Sequence, residues 1–138
     1  MLILWDEEKF SVHVPEIDVQ HKKWVKMINR LHAALMGQAD SITVKRLMGE
    51  ILDYCKYHFS MEEAFMEKMG FSGLEDHQKK HADFNKKMKA MERDLLSGAL
   101  PLRTQVMSIM KNWLEDHIVK QDQAYRIFME KKTEKITY

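Results

Sequence analysis

Residues 41–69 read SITVKRLMGEILDYCKYHFSMEEAFMEKM. Within them Val44, Met48, Ile51, Cys55, His58, Glu62, Phe65 and Met69 fall at alternating steps of four and three, the spacing that brings side chains onto one stripe of an α-helix. The stripe runs apolar from Val44 to Cys55 and then turns polar at His58 and Glu62, where a core calls for Leu or Met. An unpartnered buried carboxylate is costly. This one helix therefore predicts an all-helical fold and raises the question of what Glu62 is paired with.

The same stripe recurs on either side. The stretch from about Asp18 to Met36, entered through Ile17, carries His21, Trp24, Ile28, Leu31 and Leu35; the stretch from about Glu75 to Leu96 carries His77, His81, Phe84, Met88, Met91 and Leu95; that from about Leu102 to Ile118 carries Leu102, Val106, Met110, Trp113 and His117. Short breaks at Gly37–Asp40, Gly70–Leu74 and Ser97–Pro101 separate them, with Ser41 and Pro101 as start signals and Gly37 and Gly70 as stops. Short connections make consecutive helices antiparallel neighbours. The expected fold is all-α, an antiparallel up-down-up-down four-helix bundle. Residues 1–17, with Phe10, Val12 and Val14 alternating until Pro15, read as an extended N-terminal arm laid over it. After Asp122, Ala124 to Lys135 reads as a short C-terminal helix. The whole, 1–138, is expected to be one domain, divided into arm 1–17, bundle 18–118 and C-terminal segment 119–138.

Topology then gathers the polar residues. In such a bundle the start of the first helix, the end of the second, the start of the third and the end of the fourth lie at one end, so His21, His58, Glu62, His77, His81, His117 and Asp122 share one layer. His58 with Glu62 and His77 with His81 are spaced one helical turn apart. Asp122 lies five residues after His117, about 500° of ideal helix and so roughly 140° off its face. The last helix must end or carry a π-type bulge between Ile118 and Asp122. Imidazoles with a few carboxylates suit iron, zinc, copper or nickel better than calcium or magnesium, and seven ligands exceed one tetrahedral zinc. A dinuclear site with both carboxylates bridging uses them all and leaves one position open.

Charge and composition exclude other classes. Lys+Arg 22 against Asp+Glu 21 leaves a net charge of +1, without the excess that nucleic acid demands; Lys86, Lys87 and Lys89 read as a solvated helix face. No stretch approaches the roughly 20 apolar residues that span a bilayer, and the N-terminal apolar run is followed at once by Asp6, Glu7 and Glu8, unlike a signal peptide. The lone Cys55 forms no internal disulfide and fits a reducing, cytoplasmic setting; on the stripe before His58 it reads as a buried inert thiol. Twelve methionines read as core filler, and His13 and His32 as surface or hydrogen-bonding residues outside the ligand set.

The motifs Trp5, Phe10 to Val14, Ile17-Asp18-Val19-Gln20-His21, His58-Phe59-Ser60-Met61-Glu62-Glu63, His77-Gln78-Lys79-Lys80-His81 and Trp113 to Asp122 together resemble the hemerythrin family, and in the N-terminal arm its single-domain bacterial branch, the bacteriohemerythrins. The resemblance runs from Trp5 to about Tyr125. It implies reversible dioxygen binding at a non-haem di-iron centre, two iron ions joined by an oxo or hydroxo bridge. His77, His81 and His117 would hold the six-coordinate iron, His21 and His58 the open one, and Glu62 and Asp122 would bridge. Phe59, Trp113, Leu114 and Ile118 match apolar residues of the ligand pocket; Trp24 stands there in place of an expected Leu. Five imidazoles to two carboxylates, and an apolar pocket with no proton donor, favour holding oxygen over cleaving it. No Glu-x-x-His of the oxidase and ferritin-like bundles occurs in the chain.

The expected function is thus oxygen storage, transport or delivery, with no catalytic residues. The expected partners are dioxygen and an oxygen-consuming enzyme as recipient, with the chain itself a monomer. The competing readings are a di-iron oxidase, peroxidase or nitric-oxide-handling enzyme, a freestanding oxygen or redox sensor, and a partner-binding bundle without metal.

Overall fold

The computed structural model describes residues 3–96 and 102–136. The expected break at Ser97–Pro101 lies outside the described residues, as do the side chains of the seam positions Leu95, Leu102 and Val106. Helices α1 (Glu7–Phe10), α2 (Pro15–Met36), α3 (Ser41–Met69), α4 (Leu74–Leu96) and α5 (Leu102–Asp116) lead into a π-helical turn, His117–Gln121, and a final helix α6 (Asp122–Ile136). No strand occurs among the described residues. Helix α2 packs on α3, α3 on α4, α4 on α5, and α5 back on α2. That closed ring is the expected four-helix bundle.

Helix ends follow local chemistry, with two differences from the sequence expectation, at the cap of α3 and at the start of α2. Asp40, not Ser41, caps α3, its carboxylate accepting from the Thr43 amide at 2.7 Å and satisfying one of the orphan N–H groups of the first turn. Gly70 ends α3 in the left-handed conformation, φ +73°, with the Phe71 amide reaching back to the Met66 carbonyl, a closure that glycine permits most cheaply. At the end of α2, by contrast, Gly37 has φ −82° and the left-handed residue is Gln38, φ +56°. Pro15 begins α2 three residues earlier than expected, because its missing N–H and fixed φ suit a first helical position.

The arm is extended apart from the single turn of α1, which Asp6 caps, and a left-handed residue at His13, φ +59°. It is pinned by Asp18, whose carboxylate accepts from the Ser11 hydroxyl at 2.6 Å and the Val12 amide at 2.9 Å. Ile3, Phe10, Val12 and Val14 are buried beneath it. His13 is exposed and meets Glu130 of α6 at 3.2 Å.

Two apolar clusters form the interior. The larger holds Trp24, Ile28, Leu31, Met48, Ile51, Cys55, Phe59, Phe84, Met88, Met110, Leu114 and Ile118; the smaller, at the bundle end, holds Val12, Val14, Ile17, Met66 and Tyr125, with Phe65 and Met69 packed against it. Along each helix the expected ligands sit between a member of one cluster and a member of the other: Ile17 and Trp24 flank His21, and Phe59 and Met66 flank Glu62. The polar layer is sandwiched in apolar packing.

Candidate metal centre

Four helices and the π turn each send side chains into this layer. His21, His58, Glu62, His117 and Asp122 are fully buried, and His77 and His81 are 4% and 2% exposed. The seven fall into two sets, Glu62 with His77, His81 and His117, and Asp122 with His21, His58 and the same Glu62. Ligand atoms within each set lie within 4.8 Å of one another.

The π turn solves the angular problem of Asp122. Its amide donates to the carbonyl of His117, five residues back, so the helix widens for one turn and both side chains face the same centre, Asp122 Oδ1 lying 3.1 Å from His117 Nε2. Asp122 Oδ1 also lies 2.8 Å from His77 Nε2, while Oδ2 lies 3.1 Å from His21 Nε2. Glu62 divides its oxygens in the same way. Its Oε1 is 3.0–3.2 Å from Nε2 of His77, His81 and His117, and Oε2 is 3.4–3.5 Å from Nε2 of His58 and His21. Each carboxylate thus offers one oxygen to each histidine set.

A metal pair fits this donor set. All five histidines turn Nε2 inward, and His21 Nε2 and His58 Nε2 lie 3.0 Å apart, close enough to hold one ion between them. Asp122 Oδ2 has no hydrogen bond of good geometry. Residues behind the ring fix its tautomers: the Nδ1–H of His58 donates to Gln20 Oε1 at 2.8 Å, and that of His117 to Gln121 Oε1 at 3.1 Å. Gln121 in turn donates to Asp116 at 2.9 Å. With Nδ1 protonated, Nε2 presents its lone pair to the centre, the usual way a second layer prepares a histidine ligand.

In the metal-free chain the histidines behave differently from one another. Burial pushes His21 and His77 down, but hydrogen bonds to Asp122 and Glu62 outweigh it and raise both to about 9. Burial wins at His58, which is lowered. Burial also pushes Glu62 up, yet the charge of His117 and hydrogen bonds from His117, His21 and His58 hold it well below the ordinary carboxylate value. Tyr125, whose O–H donates to Glu62 Oε2 at 3.2 Å, is pushed far up by burial and by those carboxylates, and so stays protonated.

Aromatic rings wall the layer. Phe59 stacks on His81 at 3.9 Å, and Trp113 stacks on His117 at 4.7 Å and on Phe84 at 3.7 Å. Trp24 is fully buried against His58, Phe59, Phe84, Trp113 and His117, with ring centroids 5.4–6.2 Å away. Leu114 and Ile118 are buried in the same cluster. All five expected pocket residues therefore gather on one side of the ligand layer. Trp24 Nε1 is buried with no hydrogen-bond partner among the described residues; an indole N–H can donate a hydrogen bond but is no acid, so it supplies no proton.

The sequence reading missed Gln20 and Gln121 as histidine partners and read Tyr125 only as an apolar residue of the last helix. Gln121 lies four residues after His117 and Tyr125 three after Asp122, spacings too common on helices to single either out. Cys55 is buried with its thiol pushed up by desolvation, as an inert core thiol should be. His32 is partly buried and outside the centre.

Comparison with known proteins agrees with this geometry. The chain matches the family described as "Hemerythrin HHE cation binding domain" over residues 12–126. It is 28% identical to the bacteriohemerythrin of Stenotrophomonas maltophilia over 90% of this chain and 79% of that protein. Against the myohemerythrin of Riftia pachyptila it is 30% identical over 89% of this chain and 90% of that one. A crystal structure of wild-type hemerythrin superposes with a TM-score of 0.83 at 25% identity, covering 91% of this chain and 95% of that chain. The chain, with its ligand layer held between two apolar clusters, belongs to the hemerythrin HHE family.

Proposed function

We propose that this protein binds dioxygen reversibly at a non-haem di-iron centre and stores, carries or delivers it. The observation that carries the reading is the disposition of the two carboxylates: Glu62 turns one oxygen to His77, His81 and His117 and the other to His21 and His58, and Asp122 turns one to His77 and His117 and the other to His21. His77, His81 and His117 with two carboxylate oxygens and a solvent-derived oxygen make six donors. His21 and His58 with the same three make five, so one position stays open. When bound, a reduced iron pair supplies the electrons and the coordination position that hold dioxygen. The relatives' names, bacteriohemerythrin and myohemerythrin, support the same reading.

The surrounding residues suit binding better than turnover. Two carboxylates among five imidazoles provide little anionic charge for higher oxidation states, Tyr125 keeps its proton, and Phe59, Trp113, Leu114 and Ile118 exclude water from the open side. We therefore read the protein as a carrier without catalytic residues, a single domain over 1–138 that acts as a monomer in the cytoplasm and passes oxygen to a consuming enzyme. No helix among the described residues is long and apolar enough to cross a membrane. Metal analysis of the purified chain tests the ligand count: about two irons per chain are expected, and one zinc per chain would overturn the seven-ligand assignment.

A further inference from the structure

Trp24 brings a fully buried indole N–H to the pocket, whereas Trp113, the pocket's other indole, is only partly buried. Its indole is 0% exposed, and its five ring neighbours include His58 and His117, one from each histidine set. Phe59, Phe84 and Trp113 complete the enclosure, their side chains offer no oxygen or unprotonated nitrogen to accept from Nε1, and Nε1 has no partner among the described residues. Buried indole N–H groups nearly always find an acceptor, so an orphan one beside a candidate ligand position calls for an explanation.

We propose that Trp24 is a specificity-determining residue of the ligand pocket: its indole N–H donates a hydrogen bond to a small anionic ligand held at the open position. The proposal rests on the dinuclear reading above. Two consequences follow from the geometry. The indole bulk, packed against three other rings and 5.4 Å from the His58 ring, fills space beside His58 and so disfavours bulky ligands. The N–H, already desolvated, regains a partner only when the ligand carries a lone pair or negative charge at its far end, so anionic ligands gain over neutral ones. A hydrogen bond to a charged acceptor is stronger than a neutral one, and the pocket pays no further desolvation to form it.

The probe is azide, a linear triatomic anion, titrated into the oxidised iron-loaded full-length protein and followed by its visible absorption. Trp24→Phe keeps an aromatic ring and deletes the donor; Trp24→Leu deletes both. Azide binding by Trp24→Phe should weaken about tenfold or more. In the wild-type protein, labelled with 15N at tryptophan, the indole N–H resonance of Trp24 should move downfield when azide is added. This second measurement stands whether or not the variants fold. A resonance that stays in place, or equal azide affinity in wild type and Trp24→Phe at full iron content, overturns the donor role and leaves the dinuclear reading intact. Tighter azide binding by both variants makes Trp24 a steric plug and overturns it too. Failure of the wild type to take up two irons instead overturns the dinuclear reading, and the proposal with it.

Discussion

Replacing Glu62 by Ala removes the one carboxylate that touches all five histidines. Its Oε1 lies 3.0–3.2 Å from three of them, its Oε2 lies 3.4–3.5 Å from the other two, and Tyr125 donates to Oε2. In the metal-free chain the charge of His117 and hydrogen bonds from three histidines overcome burial and hold Glu62 well below 4.5. A carboxylate lowered in this way stabilises the fold above its ordinary value and loses that contribution as pH falls through the lowered one. The substitution should therefore be assayed near pH 7. Removing one member of a buried charged network costs about 3–5 kcal/mol. With an unfolding entropy of about 2.1 cal/mol/K per residue, a chain of 138 residues should melt roughly 10–17 °C lower. Circular dichroism with a chelator present measures this effect, and metal analysis measures the second one, a fall from about two irons per chain to fewer than one. A Glu62→Ala protein that keeps its full iron and melts within about 2 °C of the parent would refute the bridging role.

Protons should leave as metal enters. His21 and His77, raised to about 9 in the metal-free chain, must both deprotonate to become ligands, so loading at about pH 7.5 should release about two protons per chain in weakly buffered solution. The same shifts stabilise the metal-free fold below the ordinary histidine value of 6.5 and are lost as pH rises through about 9; its melting temperature should fall across that window. Leu114→Ala should open the wall beside His117 and speed irreversible oxidation of the oxygenated protein, at a core cost of about 2–5 kcal/mol. An unchanged oxidation rate with lowered stability would make Leu114 an ordinary core residue. Gln121→Ala should weaken iron affinity about 10–100-fold by freeing the His117 ring, with little change in the melting of the metal-free chain.

Buried polarity explains why so much of the centre was legible in the sequence. His58 and Glu62 stand on an apolar stripe, where each is anomalous alone, and the alternation of helix direction then stacks them with His21, His77, His81 and His117. Even the π turn could be anticipated, because an ordinary helix cannot aim His117 and Asp122 at one point. The supporting residues were not legible for the opposite reason. A glutamine beside a helix seam, such as Gln20 or Gln121, has the same pattern as any solvated glutamine until tertiary packing gives its amide a histidine partner. Tyr125 likewise scores as an apolar face residue, and only the turn of α6 brings its hydroxyl to Glu62. The cap of α3 falls on Asp40 and not on Ser41, where two capping groups compete, and α2 starts three residues early because Pro15 can either interrupt an arm or start a helix.

The most direct test of oxygen binding is the visible spectrum of the reduced, iron-loaded protein before air, in air, and after oxygen is removed again. Uptake of about one dioxygen per iron pair, a new charge-transfer band, and return to the colourless form on deoxygenation are expected. Sustained oxygen consumption with a reductant, faster than slow oxidation of the site allows, would contradict reversible binding and make the protein an oxidase.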